Sequence, residues 1–249
     1  MRLFVCDTIV RKYNCTAAFV FSHIAFHIIR NQRFDASPAA IETMTGVSKT
    51  SSKRYVKKFI DDGLLEKVDG SLPFRDALQF NNCPENHDII EAYKAAFTSS
   101  TSKEETNQTQ ITAVPMSSLK GLKMTNKKAE CERSKLYIRC YLRDKMASAN
   151  LNYKNTNSKI NARYLTSLAR TFGFAVNTIK AILNSLAATN VIKLSRNAGQ
   201  LIIQATSRMQ NIIQKKMDAM KKSAKQQIEQ NIPAAPPVID DIPSERYRL

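Results

Sequence analysis

Apolar residues recur along most of this chain at intervals of three and four, the spacing of one helix face. Thr16 to Arg30 reads T-A-A-F-V-F-S-H-I-A-F-H-I-I-R and predicts a buried helix. A short helix should follow from Pro38 to Thr45, with Ser37 as N-cap and Pro38 at the first helical position. Gly46 then suits a left-handed turn. From Gly46 to Leu65 the chain reads G-V-S-K-T-S-S-K-R-Y-V-K-K-F-I-D-D-G-L-L. Val47, Tyr55, Val56, Phe59 and Ile60 share one face, which leaves Lys49, Thr50, Lys53, Arg54 and Lys57 pointing outward. After Gly63 the pattern becomes strand-like. Leu64 to Val68 and Ser71 to Phe80 can pair through a tight turn at Asp69-Gly70, with Pro73 confining the return strand to a sheet edge. Glu85 to Phe97 predicts one more amphipathic helix, its acidic first turn suited to the helix dipole.

Periodicity stops at Thr98. Thr98 to Gln110 contains no large apolar residue, and residues 98–128 are expected to be a flexible linker. Helical spacing resumes from Cys131 to Asn150, with Leu136, Tyr137, Cys140, Tyr141 and Met146 inward. A helix over Asn161–Thr171, Gly173, a helix over Val176–Thr189 and strands over Val191–Ser195 and Gln200–Ile203 should follow. Laying Gly173 on Gly46 at a constant offset of 127 places Lys180 on Lys53, Leu183 on Val56, Leu186 on Phe59 and Asn190 on Gly63. That is an internal repeat, and Asn190 fits it because Asn tolerates the left-handed conformation. Leu168-Ala169-x-x-x-Gly173 supplies a small residue where two helices of the motif approach; Glu42 stands at the matching place in the first copy.

Ser207 to Gln230 predicts a long polar helix with a narrow stripe of Met209, Ile213, Met217, Met220, Ala224 and Ile228. Such a stripe suits a two-helix seam in a homodimer or docking on the second unit. The tail, 231–249, is Pro-rich with an acidic-apolar centre and is expected to be extended or disordered, with a role as a peptide for a replication or transcription protein as the alternative. The chain therefore divides into 1–97, a linker 98–128, a second unit 129–206, a helix 207–230 and a tail 231–249. The expected class is mainly α, with small β-hairpins.

Charge sharpens this picture. The chain of 249 residues carries a net charge of +17. That points to a polyanion such as nucleic acid. Residues 1–97 hold 13 Lys+Arg against 11 Asp+Glu, whereas 129–230 hold 18 against 5. The first unit thus concentrates its cations on one helix: Lys49, Lys53, Arg54, Lys57 and Lys58, with no acid among them. The second spreads them, through Arg133, Lys135, Arg143, Lys180, Lys193 and Arg196 among others. Its outward helix face, Asn177, Thr178, Lys180, Ala181 and Asn184, is mild in charge but rich in groups able to hydrogen-bond base edges.

Turn glycine, hydrophobe, Ser48, cationic helix, Gly63 and strand together resemble the recognition half of a winged helix-turn-helix. The resemblance implies that the second of two short helices enters the major groove and that a hairpin wing follows. Two such units in a basic chain resemble the replication initiators of plasmids and some phages, over residues 15–80 and 130–203. What this implies is a sequence-preferring, double-stranded DNA-binding protein with two winged-helix units. Lys49, Thr50, Ser51, Lys53, Arg54 and Lys57 would be in the groove, and Lys67, Lys193 and Arg196 on the backbone. Asn177, Thr178, Lys180 and Asn184 would form the second reading face. A transcriptional regulator on the same units is the alternative; a scaffold or a nonspecific packaging or partition protein is a further one. The long linker and tail depart from the compact plasmid form.

Catalytic constellations do not assemble. There are three histidines, no Gly-rich phosphate loop, no nucleophile elbow and no spaced carboxylate pair. His23 and His27 stand at i, i+4, a zinc-capable spacing with no third ligand nearby, so partly buried, hydrogen-bonded histidines are expected and no cofactor. Five cysteines without a C-x-x-C pair suggest free thiols in a reducing compartment. Leu3–Cys6 lacks a following small-residue cleavage site, and the apolar run Thr16–Ile29 is too short to span a bilayer, which favours the cytoplasm.

Overall fold

The computed structural model describes residues 2–31, 33–34, 37–69, 76–98, 111–115, 126–153, 159–162, 165–197, 200–215 and 217–218. It is mainly helical with small antiparallel sheets. In chain order the elements are β1 (Arg2–Cys6), α1 (Asp7–Lys12), α2 (Cys15–Asn31), α3 (Pro38–Thr45), α4 (Lys49–Asp61), β2 (Leu65–Asp69) and β3 (Asp76–Phe80). A 3-10 turn at Pro84–Asn86 leads into α5 (His87–Thr98), then β4 (Ile111–Pro115), α6 (Asn126–Tyr153), β5 (Lys159–Ala162), α7 (Leu165–Phe172), α8 (Val176–Ala188), β6 (Ile192–Asn197) and β7 (Gln200–Ala205). The chain is helical again at 207–215 and 217–218.

The offset of 127 holds in backbone detail. Helices α3 and α4 have eight and thirteen residues, and so do α7 and α8, each shifted by that offset. Gly46 and Gly173 both have φ +67°, while Gly63 has φ +70° and Asn190 +53°. Past Gly63 and Asn190 the next N–H reaches back to the matching carbonyl: Leu64 donates to Phe59 at 2.8 Å, Val191 to Leu186 at 3.0 Å. The repeat continues beyond the sequence match. Asn86 donates to the Gly63 carbonyl (2.7 Å) and Thr206 to the Asn190 carbonyl (2.7 Å), so in each lobe the helix after the hairpin is tied to the residue that ends the basic or mild helix.

Hairpin and strand details differ from expectation. Leu65 pairs with Phe80 and Asp69 with Asp76, a register that places residues 70–75 between the strands and excludes a two-residue turn at Asp69-Gly70. Pro73 lies outside the described residues. In the second lobe Asn197 pairs with Gln200, so the hairpin is closed by two residues. Residues 159–162, partly assigned to a helix from the sequence, form β5 and pair antiparallel with β7, from Lys159–Gln204 to Ala162–Leu201. Among the described residues the first lobe has a single bridge there, Phe34 to Leu78.

The boundary expected at 98–128 is also different. Within it, β4 pairs antiparallel with β1, from Arg2–Pro115 to Cys6–Ile111. Val114 and Thr112 are fully buried, and Arg143 of α6 donates to the Ala113 carbonyl at 2.8 Å. The described part of that region is therefore a structural strand and not a free tether; 99–110 and 116–125 lie outside the described residues. Thr112 and Val114 share the buried face of this strand, while Ile111, Ala113 and Pro115 on the other face are half-buried, with α5 and α6 packing nearby.

One hydrophobic core runs through both lobes, joining Phe19, Phe21, Phe59 and Tyr93 to Tyr137, Phe172, Ile179 and Leu186. Helices α2 and α6 pack together, as do α1 and α7. The turn glycine of each lobe meets an arginine of the other. Arg133, 3% exposed, donates to the Gly46 carbonyl at 2.7 Å, and a Cβ on Gly173 would lie 2.8 Å from the Arg11 Cα. The C-terminal helix begins by burying Met209 and Ile213, with Met217 against the same core. This occupies the start of the stripe that suits a homodimer seam; Met220, Ala224 and Ile228 lie outside the described residues, as does the tail.

Candidate nucleic-acid interface

Helix α4 forms because its ends are fixed before its surface matters. Ser48 caps it, accepting from the Ser51 N–H at 3.4 Å, and the Ser52 hydroxyl turns inward to the Val47 carbonyl at 3.3 Å. Tyr55 and Phe59 anchor the inner face, Phe59 with no exposed surface and edge-on to Phe21 at 5.2 Å. Removing a ring so buried costs about 3–5 kcal/mol, so the outer face is held on a stiff base. Arg133 and Asn14 complete that base, Asn14 donating to the Tyr55 hydroxyl at 3.0 Å.

Lys49, Thr50, Lys53, Arg54 and Lys57 are exposed on this outer face, as their spacing requires. Ser51 is partly buried, and its hydroxyl accepts from Ser48 at 3.1 Å, so it supports the cap as well as lying on the helix surface. Lys58 turns away: its Nζ lies 5.1 Å from the Tyr13 ring, whose hydroxyl donates to Asp62 at 2.6 Å. Lys53 and Lys57 border a groove of about 480 Å³ together with Lys67 from β2 and Asp61. Its floor is Phe34, Ile41, Val56, Ile60 and Leu78.

The second lobe repeats the construction with milder chemistry. Asn177, Thr178, Lys180, Ala181 and Asn184 are exposed on α8, and Val176 is the large hydrophobe exposed beside them, at 37%. Its N-cap is Ala175, without a side-chain cap bond. Lys180, Asn184 and Arg196 meet at a groove of about 250 Å³ whose apolar wall includes Leu165, Leu183 and Leu194. Lys193 is exposed on β6. The expected diffuse basic surface of this half is thinner than its charge count implies. Arg133 is committed to Gly46, Arg143 to Ala113 and to Asp144 at 2.6 Å, and Lys135 to Glu132 at 2.7 Å. Spacing does mark Arg133, which stands three and four residues before the inward Leu136 and Tyr137 and so shares their helix face.

His23 differs from the hydrogen-bonded histidine expected: among the described residues neither of its buried ring nitrogens has a partner, and its ring lies 4.7 Å from that of His27 and 5.8 Å from Phe34. Burial, with the neighbouring His27 second, lowers the His23 pKa to about 4; burial lowers that of His27 as well. Among the described residues no cluster of three or more His, Cys, Asp or Glu is placed to hold a metal. None of the five cysteines forms a disulfide, and burial pushes the Cys6 and Cys15 thiols up to about 11 and 12, away from thiolate chemistry. No helix of the described residues is long and apolar enough to cross a membrane. No protein-family model matches the chain, and no curated protein matches it.

Proposed function

We propose that this protein is a non-catalytic, cytoplasmic, sequence-preferring binder of double-stranded DNA, built as two winged helix-turn-helix lobes. The reading is carried by α4: it is packed on one face, while the other exposes Lys49, Lys53, Arg54 and Lys57 with no acid between them. Such a helix fits the major groove, where arginine and lysine can pair with guanine edges or clamp phosphates. Lys67 on β2, with Lys193 and Arg196 on β6, gives each hairpin a cation for the flanking backbone. Asn177 and Asn184 offer adenine-reading amides on α8.

Shared core and reciprocal Arg–Gly contacts support a fixed spacing between α4 and α8. Both lobes would then engage one duplex at a set separation, which suits an origin-binding initiator reading paired elements. Selection of bound fragments from the protein's own genome tests this. Recovered sites should contain two elements at constant spacing, and inserting about half a helical turn, ~5 bp, between them should abolish tight binding. Sites in repeats beside an AT-rich stretch would mark an initiator; sites over promoters would mark a transcriptional regulator. Lys53→Ala with Arg54→Ala should cost more than the ~1 kcal/mol of ordinary surface charges, and affinity should fall steeply with salt. Unchanged affinity in the double variant would remove α4 from the interface.

A further inference from the structure

The first-lobe groove has an apolar floor beneath a basic rim, and the partly exposed Val56 and Ile60 show that the floor is open to an occupant. Lys53 and Lys57 stand one turn apart on α4, with Lys67 opposite them on β2 and Asp61 as the one acid among the described lining residues. The matching second-lobe groove has about half the volume, Asn184 where Lys57 stands and Leu194 where Lys67 stands. An occupant of the first groove should therefore combine branched aliphatic side chains with carboxylates.

We propose that residues Val238–Ile242 of the same chain dock in this groove, seating Val238, Ile239 and Ile242 on its floor and Asp240 and Asp241 against its lysines. The sequence V-I-D-D-I is complementary in both respects and contains no cation. None of the other stretches outside the described residues has that combination. Residues 99–110 carry Glu104 and Glu105 without a large aliphatic residue, while 116–125 and 219–230 carry more cations than acids. Reach is sufficient. Twenty residues separate 218 from 238, about 65 Å when extended, or about 45 Å if the stretch to 230 is helical. A compact chain of this length is only about 45 Å across. Since Lys53, Lys57 and Lys67 belong to the face assigned to DNA, the docked segment would cover that face. This last consequence rests on the DNA reading; the docking does not.

Methyl-labelled full-length protein allows the two to be separated. The variant Ile239→Ser/Asp240→Asn/Asp241→Asn/Ile242→Ser alters nothing in the described fold. It should move the methyl resonances of Val56, Ile60 and Leu78 while leaving Leu183 and Leu201 in the second groove unchanged. The difference between the parent and this variant should persist over a hundredfold dilution. Ile239→Val/Ile242→Val should keep the parent resonances. Unmoved first-groove methyls would overturn the proposal, and so would movement at Leu183 and Leu201 instead. A difference lost on dilution would overturn it in favour of a tail from another copy. In DNA binding the fourfold variant should be several-fold tighter than the parent. Methyl movement without any DNA binding in either protein would uphold the docking and sink the DNA reading.

Discussion

Helices α4 and α8 have the same length, a left-handed residue behind each (Gly63 and Asn190) and the same return hydrogen bond, yet they present unlike surfaces. On α4 the outward residues are Lys49, Lys53, Arg54 and Lys57; on α8 the matching positions are Val176, Lys180, Ala181 and Asn184. Core positions explain why both fold. Tyr55 and Phe59 in one become Ile182 and Leu186 in the other, all buried. The outer face bears little on the fold and is free to diverge. A scaffold conserved between lobes with unlike surfaces divides labour: one helix concentrates charge, and the other offers hydrogen bonds and a small apolar spot. Net charge misleads here, because cations of the more basic half are spent in tying the lobes together through Arg133 and Arg143.

Acid should separate the lobes most strongly. Folded protein keeps His23 neutral down to about pH 4, whereas the unfolded chain takes up its proton near pH 6.5. Between those values the unfolded state binds more protons. Stability is thus intact above about 6.5 and declines as pH falls, by about 3 kcal/mol at pH 4. His27 adds in the same direction. Denaturant titrations of parent and His23→Phe across this window should show the parent losing the larger share, with hydrogen exchange accelerating first in α2. Parallel curves would mean that the imidazole is not the weak point.

Next comes the turn. Gly173→Ala meets both a left-handed backbone and the Arg11 backbone 2.8 Å away, and should cost about 2–3 kcal/mol. Gly63→Ala has the same sign of φ but finds its nearest neighbour, the Asn81 amide nitrogen, at 3.8 Å, so it should cost about 1 kcal/mol. Equal losses by thermal melting would dissolve the distinction between a turn that also joins the lobes and one that does not. In DNA affinity, Lys180→Ala with Asn184→Ala should weaken binding by about threefold, and Lys53→Ala with Arg54→Ala by tenfold or more. A reversal would make α8 the reader. The smallest effect is expected at Asn190: replacement by Gly, matching Gly63, should raise stability by about 0.5 kcal/mol.

What could be read from the sequence was local. Gly46, Ser48, the extent of α4 and the offset that carries α3–α4 onto α7–α8 all follow from spacing within a dozen or so residues. Burial of Tyr137, Tyr141 and Met146 on α6 followed from the same period. Long-range pairings left no such mark. Leu3–Cys6 reads as a short apolar run and 111–115, I-T-A-V-P, as a brief apolar interruption of a polar linker; only their meeting makes either a strand. The first hairpin's register was missed because a promising Asp-Gly pair is a local preference, and the pairing of Leu65 with Phe80 overrides it. The site was legible as a set of exposed residues. The grooves that gather Lys53, Lys57 and Lys67 in one lobe, and Lys180, Asn184 and Arg196 in the other, needed the hairpins in place.

The pairing of β1 with β4 also sets a timetable for synthesis. The amino-terminal strand leaves the ribosome first, but its partner follows more than a hundred residues later. At ordinary translation rates that interval is about 5–20 s. Throughout it, Leu3 and Val5, both fully buried in the finished protein, have no strand alongside to close over them. A nascent chain halted before residue 111 should therefore hold chaperones more strongly than one halted after β4 has emerged.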